Sequence, residues 1–481
     1  MNDFVYRFRS IEKFLGFKEL ETQSIYFCHP NDLNDPVENF KDIIWHGDKI
    51  LWSNLFRNYL ICLYSAYSHI SIFGEEHLLK PEDIPVFSTY DKLPTQKYKD
   101  IITNLFQEFF ENESIKNLIE GLSIRENVRR GELLFFLESV HMLAISLIQK
   151  QDELLEESKR KLVDTSKVLK GQLFTPQFFK WINKIKKETN VEYPEEKFFS
   201  ISGQVIQQTK ILTALKSGQN EKNKRFYLLD FPKLYVRQIE ELLFWPWYTA
   251  CFSNTASNSS MWGYYAEGHK GICLKFKTTK EHNKRGIFLR TITSEGWSKT
   301  GGISKGYGNV FFPLYDINYE VKVKPISFFQ SIGRLSFPDL ISQWHSEGDG
   351  NTSPLVQDIF KKREEWHKNY WKTFLDNIPI KTPEWRHEEE SRLIHHSLLS
   401  GTIPKEERVL NYSFKDLDGI IFGINTSEEH KIEIMRIVHD VCQKEKRFDF
   451  NFYQASYNSF TGKIDIHPLN LIKITENETT V

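Results

Sequence analysis

Late in the chain, Glu388, Glu390 and Arg392 occupy alternate positions in EWRHEEESRLIHH. On a β-strand, residues two apart project from one face, so two carboxylates and a guanidinium would share one small volume. Carboxylates so placed raise each other's proton affinity, and an adjacent arginine lowers it. Burying such a group is costly unless it serves a site. What it could serve is the stabilisation of a developing positive charge. On a helix the same residues would scatter over a charged surface. Pro383 before them and RLIHHSLL after them predict the strand.

Two more stretches carry candidate groups. FVYRFRS at the start alternates Val5, Arg7 and Arg9 with Phe4, Tyr6 and Phe8, the period of a half-buried strand. Arg7 and Arg9 face the same way and cannot be separated by pattern; they suit phosphate binding, or the solvated side of an edge strand. Ser10 can cap the following helix, without a capping box, since Lys13 stands three residues on. Asn34-Asp35-Pro36 has turn chemistry, with Asn34 and Asp35 available to a pocket rim, and Glu38 suits a helix start. From Ser253 to Phe276, SNTASNSSMWGYYAEGHKGICLKF sets a polar loop against an aromatic cluster. Ser253 and Thr255 have strand spacing. Trp262 and Tyr265 lie one helical turn apart and share a face. Trp262 suits a core brace; Tyr265, whose hydroxyl needs a partner, suits core or pocket. Gly271 frees the turn into ICLKF. His395 and His396 would point opposite ways from a strand, and no cysteines have zinc-ligand spacing, so no metal is expected.

Four pieces in fixed order resemble a known family: Tyr6-Arg7-Phe8-Arg9-Ser10; Ile25-Tyr26-Phe27 leading to Asn34-Asp35-Pro36 and Glu38; Met261-Trp262-Gly263-Tyr264-Tyr265-Ala266 with Gly271; and Trp385 with Glu388, Glu390 and Arg392. They look like the prokaryotic domain-of-unknown-function family numbered 2971, over the chain's beginning and most of its length after about residue 225. That family in turn is similar to the ADP-ribosyltransferase fold, with a first-strand Arg or His, a middle Ser/Thr or Tyr element and a late Glu-x-Glu. The resemblance implies an α+β core with a split, mostly antiparallel sheet and a large α-helical insertion. It implies NAD as substrate and an ADP-ribosyltransferase or NAD glycohydrolase activity, in a toxin or anti-phage defence effector. Cleavage at the nicotinamide ribose passes through an oxocarbenium-like state, which a buried carboxylate stabilises.

On that resemblance Arg9 is the first-strand cation, with Arg7 beside it. Ser253 and Thr255 form the middle polar element, Trp262 and Tyr265 the aromatic wall, and Asn34 and Asp35 the rim. Glu390 faces the ribose, Glu388 orients the acceptor (a macromolecule or water), and Arg392 joins the cofactor-binding residues; a shifted register would exchange the two glutamates. Two other readings stand beside this one. Asp35, Glu38, Glu388 and Glu390 could hold Mg²⁺ in a nuclease, or the cavity could belong to a non-catalytic nucleotide-sensing or interaction module.

The elements that must position these groups come from both ends of the chain. Residues 1–44 read as strand, helix, strand, with the strand SIYFCHP ended by Pro30. Residues 45–215 read as a helical insertion: DIITNLFQEFFENESIKNLIEGL and RGELLFFLESVHMLAISLIQKQDELLEESKRKLVDTSKVL show apolar residues at helical spacing. The second turns highly charged past Lys150, which suits a solvated face or a protein partner. Residues 216–481 return to strands: GICLKFK, YEVKVKPIS, RLIHHSLL, DGIIFGIN, FDFNFYQASY and GKIDIHPL, with a helix over EEHKIEIMRIVHDVCQKE. The 481 residues suggest roughly three domains by length, and 63 basic against 64 acidic residues give no global pull toward nucleic acid or an anionic membrane. Aromatic residues at 14% supply large cores. Five scattered cysteines fit a reducing, cytoplasmic setting, and NYLICLYSAYSHISIFG, broken by Ser, Tyr and His, reads as a buried helix rather than a membrane span.

Overall fold

In the computed structural model, residues 3–476 are described apart from 36–37, 155–173, 189–193, 217–220, 299–301, 321–322 and 397–400. The chain divides into two compact units. The first comprises residues 1–40, 246–323 and 375–481; the second comprises residues 41–245 and 324–374. The expected insertion over 45–215 thus falls within a larger helical unit, which takes in a second, later segment. The charged stretch from 155 onward lies outside the described residues.

The first unit is mixed α and β, built on a large curled, mostly antiparallel sheet. Its main strands are β1 (Phe4–Arg9), β2 (Ser24–Tyr26), β3 (Trp247–Ser253), β4 (Ile272–Lys277), β5 (Lys284–Ser298), β6 (Gly302–Asp316), β7 (Glu390–His396), β8 (Val409–Tyr412), β9 (Leu417–Phe422), β10 (Asn451–Asn458) and β11 (Lys463–Pro468). They lie in the order β11-β10-β9-β4-β1-β3-β7-β6-β5-β8-β2. Only β9 and β10 among these run parallel. The start of the chain is therefore inserted between strands from its later half. β1 pairs along its whole length with β4, Phe4 opposite Lys277 and Arg9 opposite Ile272.

Alternation along β1 divides its apolar residues between two cores. Val5 joins Phe252, Leu274 and Phe276 in the larger one. Phe8 joins Met261, Trp262, Cys273 and Ile421 in the smaller one. Helix α1 (Ile11–Gly16) follows at once, with Ser10 Oγ accepting from Lys13 N as the cap. Helix α2 (Ser259–Tyr265) starts at Asn258, whose side chain accepts from Ser260 N, and lies over the smaller core. Helix α3 (Glu428–Glu445) buries Ile434, Val438, Val441 and Cys442, a one-sided stripe at i, i+4, i+7 and i+8.

One edge of β3 is shared by two partners. β7 covers the opposite edge from Trp247 to Ser253. On the shared edge β1 meets β3 at Tyr6 opposite Ser253, and Cys28 meets it at Thr249, with N···O distances of 2.9 Å in both directions. Between those two pairings, at Cys251, the sheet is split. Among the described residues no strand pairs with this edge there, and the split opens into a cavity.

Several sequence expectations are corrected. Of the alternating stretch 319–327, only Ile326–Ser327 is paired as a strand among the described residues; 321–322 lie outside them. The longest hairpin, β5–β6, was not anticipated. The helix after Ser10 is short and ends at Gly16. In the second unit, Lys49–Phe73 is the expected buried helix, with Leu51, Trp52, Leu55, Phe56 and Tyr59 all at 0% exposure. Arg130–Asp152 is long and apolar enough to cross a membrane, yet Leu133, Phe136, Leu137, Val140, Ala144 and Ile148 are wholly buried within that unit.

Candidate functional site

The cavity at the split has a volume of about 290 Å³, and every residue lining it belongs to the first unit. Arg7 and Arg9 from β1, Cys251 and Ser253 from β3, Tyr265 from α2, Glu388 from the turn before β7 and Glu390 from the start of β7 all face it. So do Asn34, Glu38 and Lys381. The register explains the convergence: Tyr6, Ser253 and Glu390 form one row across β1, β3 and β7.

The acidic group is built differently from its expected form. Glu388 is not on the strand. Pro383 starts a 3₁₀ turn, Pro383–Glu388, and Glu389 follows in the left-handed region at φ 44°. The strand begins only at Glu390, so Glu390 and Arg392 share a face by alternation while Glu388 reaches the same volume from the turn. Glu38 is likewise no helix start. It sits in a turn, with its N–H on the Asp35 carbonyl, and is 6% exposed.

These groups form one continuous network. Asn34 Nδ2 donates to Tyr265 Oη at 3.0 Å, and Tyr265 Oη donates to Glu388 Oε1 at 2.6 Å. Lys381 Nζ donates to Glu388 Oε2 at 2.6 Å and Glu390 Oε2 at 3.3 Å, and pairs with Glu38 Oε1 at 3.0 Å. Arg392 Nε donates to Glu390 Oε1 at 2.6 Å, and its Nη2 donates to Glu38 Oε2 at 2.5 Å. Ser253 Oγ donates to the Glu388 carbonyl at 2.9 Å, and Tyr319 Oη accepts from Glu390 N at 2.9 Å. Three carboxylates thus share two cations, all almost wholly buried.

The electrostatics separate the carboxylates. Burial opposes ionisation of Glu390, but the Arg392 guanidinium, Lys381 and a Cys251 hydrogen bond outweigh it and hold the carboxyl at about 2. Burial pushes Glu38 above its ordinary range despite Arg392 and Lys381. Burial and then the Glu388 hydrogen bond push Tyr265 up, so its phenol stays protonated and donates. Lys381 and Arg392 are buried, yet their acidic neighbours, Glu390 foremost, raise both.

The two first-strand arginines are not equivalent. Arg9 is bound to Glu19 through both Nε, at 2.9 Å to Oε2, and Nη2. Arg7 has no such carboxylate: Nη2 reaches the Tyr26 carbonyl at 3.5 Å, the guanidinium carbon lies 5.8 Å from the Phe252 ring centre, and the enclosed Nη1 has no partner. Burial, then the Arg9 charge, lowers its pKa. The cavity therefore has an unneutralised cation on one wall and an ionised carboxylate on another.

The remaining expected residues lie elsewhere. Trp262 is a core residue, 0% exposed, with its Nε1 on the Ala256 carbonyl at 2.7 Å and its ring edge-on to Phe8 at 5.0 Å. Thr255 turns from the cavity and accepts from Ser257 N. Asp35 is buried outside the lining, and Pro36 lies outside the described residues. Arg392 does not line the cavity but supports Glu390 from beneath. Lys381 was missed. It stands alone in IPIKTPEWRHEEE, and the sequence offers no signal beyond a lysine held between two prolines. Its place follows from the Asn318–Ile380 bridge, with Lys381 N on the Asn318 carbonyl.

The chain matches no protein-family model, no curated protein and no solved structure.

Proposed function

We propose that this protein cleaves NAD at the nicotinamide ribose, as an ADP-ribosyltransferase or NAD glycohydrolase on an ADP-ribosyltransferase-like split sheet. The observation that carries the reading is the pairing, in one cavity, of the ionised Glu390 with the unpartnered Nη1 of Arg7. A dinucleotide supplies what both lack. Its pyrophosphate is a planar-fork partner for Arg7. Its nicotinamide ribose gains positive charge as the glycosidic bond breaks, and the electron pair leaves with nicotinamide nitrogen. A carboxylate held at about 2 cannot act as an acid near neutrality, so the role that suits Glu390 is charge stabilisation at the anomeric carbon.

Glu388 suits the second half of the reaction. Tyr265 and Lys381 occupy one lone pair on each of its oxygens, and each oxygen has two. The free capacity can receive the hydroxyl of water or of an acceptor side chain and take up its proton as the new bond to the anomeric carbon forms. A cavity of about 290 Å³ lies at the small end of the roughly 300–1,000 Å³ range of ligand sites, enough for the nicotinamide-riboside end of the dinucleotide. A toxin or defence role belongs to the same proposal and rests on the family resemblance.

The magnesium-nuclease reading is weakened by Lys381, whose ammonium already stands among Glu38, Glu388 and Glu390 where a shared cation would bind. The deciding experiment incubates the protein with labelled NAD and cell lysate, with and without chelator. Nicotinamide release that survives chelation supports the proposal, and label on a macromolecule distinguishes transfer from hydrolysis. Tight nucleotide binding without release would favour the sensing module instead.

A further inference from the structure

The Lys381 side chain is 3% exposed; its ammonium carries three N–H donors and meets three carboxylates: Glu388 at 2.6 Å, Glu38 at 3.0 Å and Glu390 at 3.3 Å. No donor is left for a substrate. Its other face rests on Trp385, 4.6 Å from the ring centre, which excludes water from that side. Arg392 reaches Glu390 and Glu38, but among the described residues Lys381 is the cation bonded to the Glu388 carboxylate. Glu388 and Glu390 come from a turn and a strand joined through the left-handed Glu389, a junction that brings two negative charges together. Two buried carboxylates at such range do not both ionise without a cation between them.

We infer that Lys381 is the positioning residue of this site: it sets one shared positive charge between the Glu388 and Glu390 carboxylates and fixes their separation, without touching the substrate. The inference rests on the carboxylate chemistry proposed above. It assigns the site a third member beyond the arginine and the glutamate pair. The groups facing the ammonium are Glu38 from its turn, Glu388 from the 3₁₀ turn, Glu390 from β7 and the Trp385 ring, with Arg392 and the Tyr265 hydroxyl one bond further out.

The test compares wild type, Lys381→Met and Lys381→Arg by nicotinamide release from NAD between pH 2 and 9, and by thermal unfolding over the same range. Lys381→Met is expected to lower kcat at least tenfold at pH 6, change KM for NAD less than threefold, and move the acid limb of the kcat profile up by about one pH unit or more, as carboxylates lose a neighbouring cation. Lys381→Arg is expected to return the acid limb toward the wild-type position. An acid limb that stays put in a folded Lys381→Met protein overturns the inference. Should the wild type release no nicotinamide, the activity has failed rather than the role of Lys381, and unfolding decides. A charge-holding lysine predicts a Tm deficit in Lys381→Met at pH 7 that shrinks below pH 4.5 as the carboxylates protonate. A deficit constant with pH marks mere packing and overturns the inference.

Discussion

Replacing Arg7 and Arg9 separately by methionine, which keeps the apolar stem, should give opposite outcomes from neighbouring positions on one strand. Arg9 bonds Glu19 through two nitrogens, and the two side chains are 18% and 7% exposed. Losing one partner of a fully buried pair costs about 3–5 kcal/mol. Arg9 keeps some solvent access, so about 1–3 kcal/mol is the reasonable expectation for Arg9→Met. At roughly 2–4 °C per kcal/mol for a unit of this size, Tm should fall by about 2–12 °C. Arg7 gives up only a long contact to the Tyr26 carbonyl and removes a confined, unpaired charge. Arg7→Met should therefore leave Tm unchanged or raise it. The ligand should tell the other half. A charged hydrogen bond contributes about 1.5–3 kcal/mol, so Arg7→Met should weaken NAD binding by roughly 10- to 150-fold. Differential scanning fluorimetry and titration calorimetry measure both. If Arg7→Met destabilises the protein as much as Arg9→Met, or leaves NAD affinity intact, the idea that Arg7 awaits an anion is wrong.

Three further outcomes are expected from the same geometry. Trp262→Ala should cost about 3–5 kcal/mol of stability, read by denaturant unfolding, while the folded fraction keeps its NAD affinity, because the indole is core. Gly271→Ala should destabilise the end of β1, measured by thermal unfolding, since a Cβ there would lie 2.2 Å from the Arg9 carbonyl oxygen. Acid titration should also report Glu390. Its folded pKa is depressed from 4.5 to about 2, so its stabilising contribution is complete above pH 4.5 and is lost as pH falls toward 2. Glu390→Gln should flatten the wild-type decline in stability across that window.

The residues and the structure agree most where periodicity is strong. The alternation of FVYRFRS, the stripe of α3 and the late strands are all present, because each buries one face against a core. The convergence of the chain's beginning with Glu388 and Glu390 was an expectation of the family resemblance, and no pattern within the residues themselves encodes it. The β5–β6 hairpin was not legible, for physical reasons. Its outer half is exposed on both faces, as at Glu295, Trp297 and Tyr307, and glycines interrupt it, so no hydrophobic alternation marks it. The reverse error occurred at YEVKVKPIS, where among the described residues only Ile326–Ser327 is taken up by a sheet. At the site, side-chain type identified the carboxylates, while their cation was hidden. Lys381 acquires its role through the bridge of Ile380 to Asn318, a long-range contact that no local pattern encodes. Glu38 was assigned to a helix start by its neighbours in sequence, whereas its partners, Arg392 and Lys381, lie over 340 residues away.

The most direct test is the rate of nicotinamide release from NAD by wild type and Glu390→Gln at pH 7, with NAD affinity measured alongside. Glutamine keeps the shape and removes the charge. The expected result is release by the wild type and a loss of roughly 10²–10³ in kcat for the variant, the scale of losing one transition-state stabilising group, with affinity changed less than threefold. Equal release by both proteins, or a wild type that does not bind NAD at all, would contradict the assignment of this cavity to NAD cleavage.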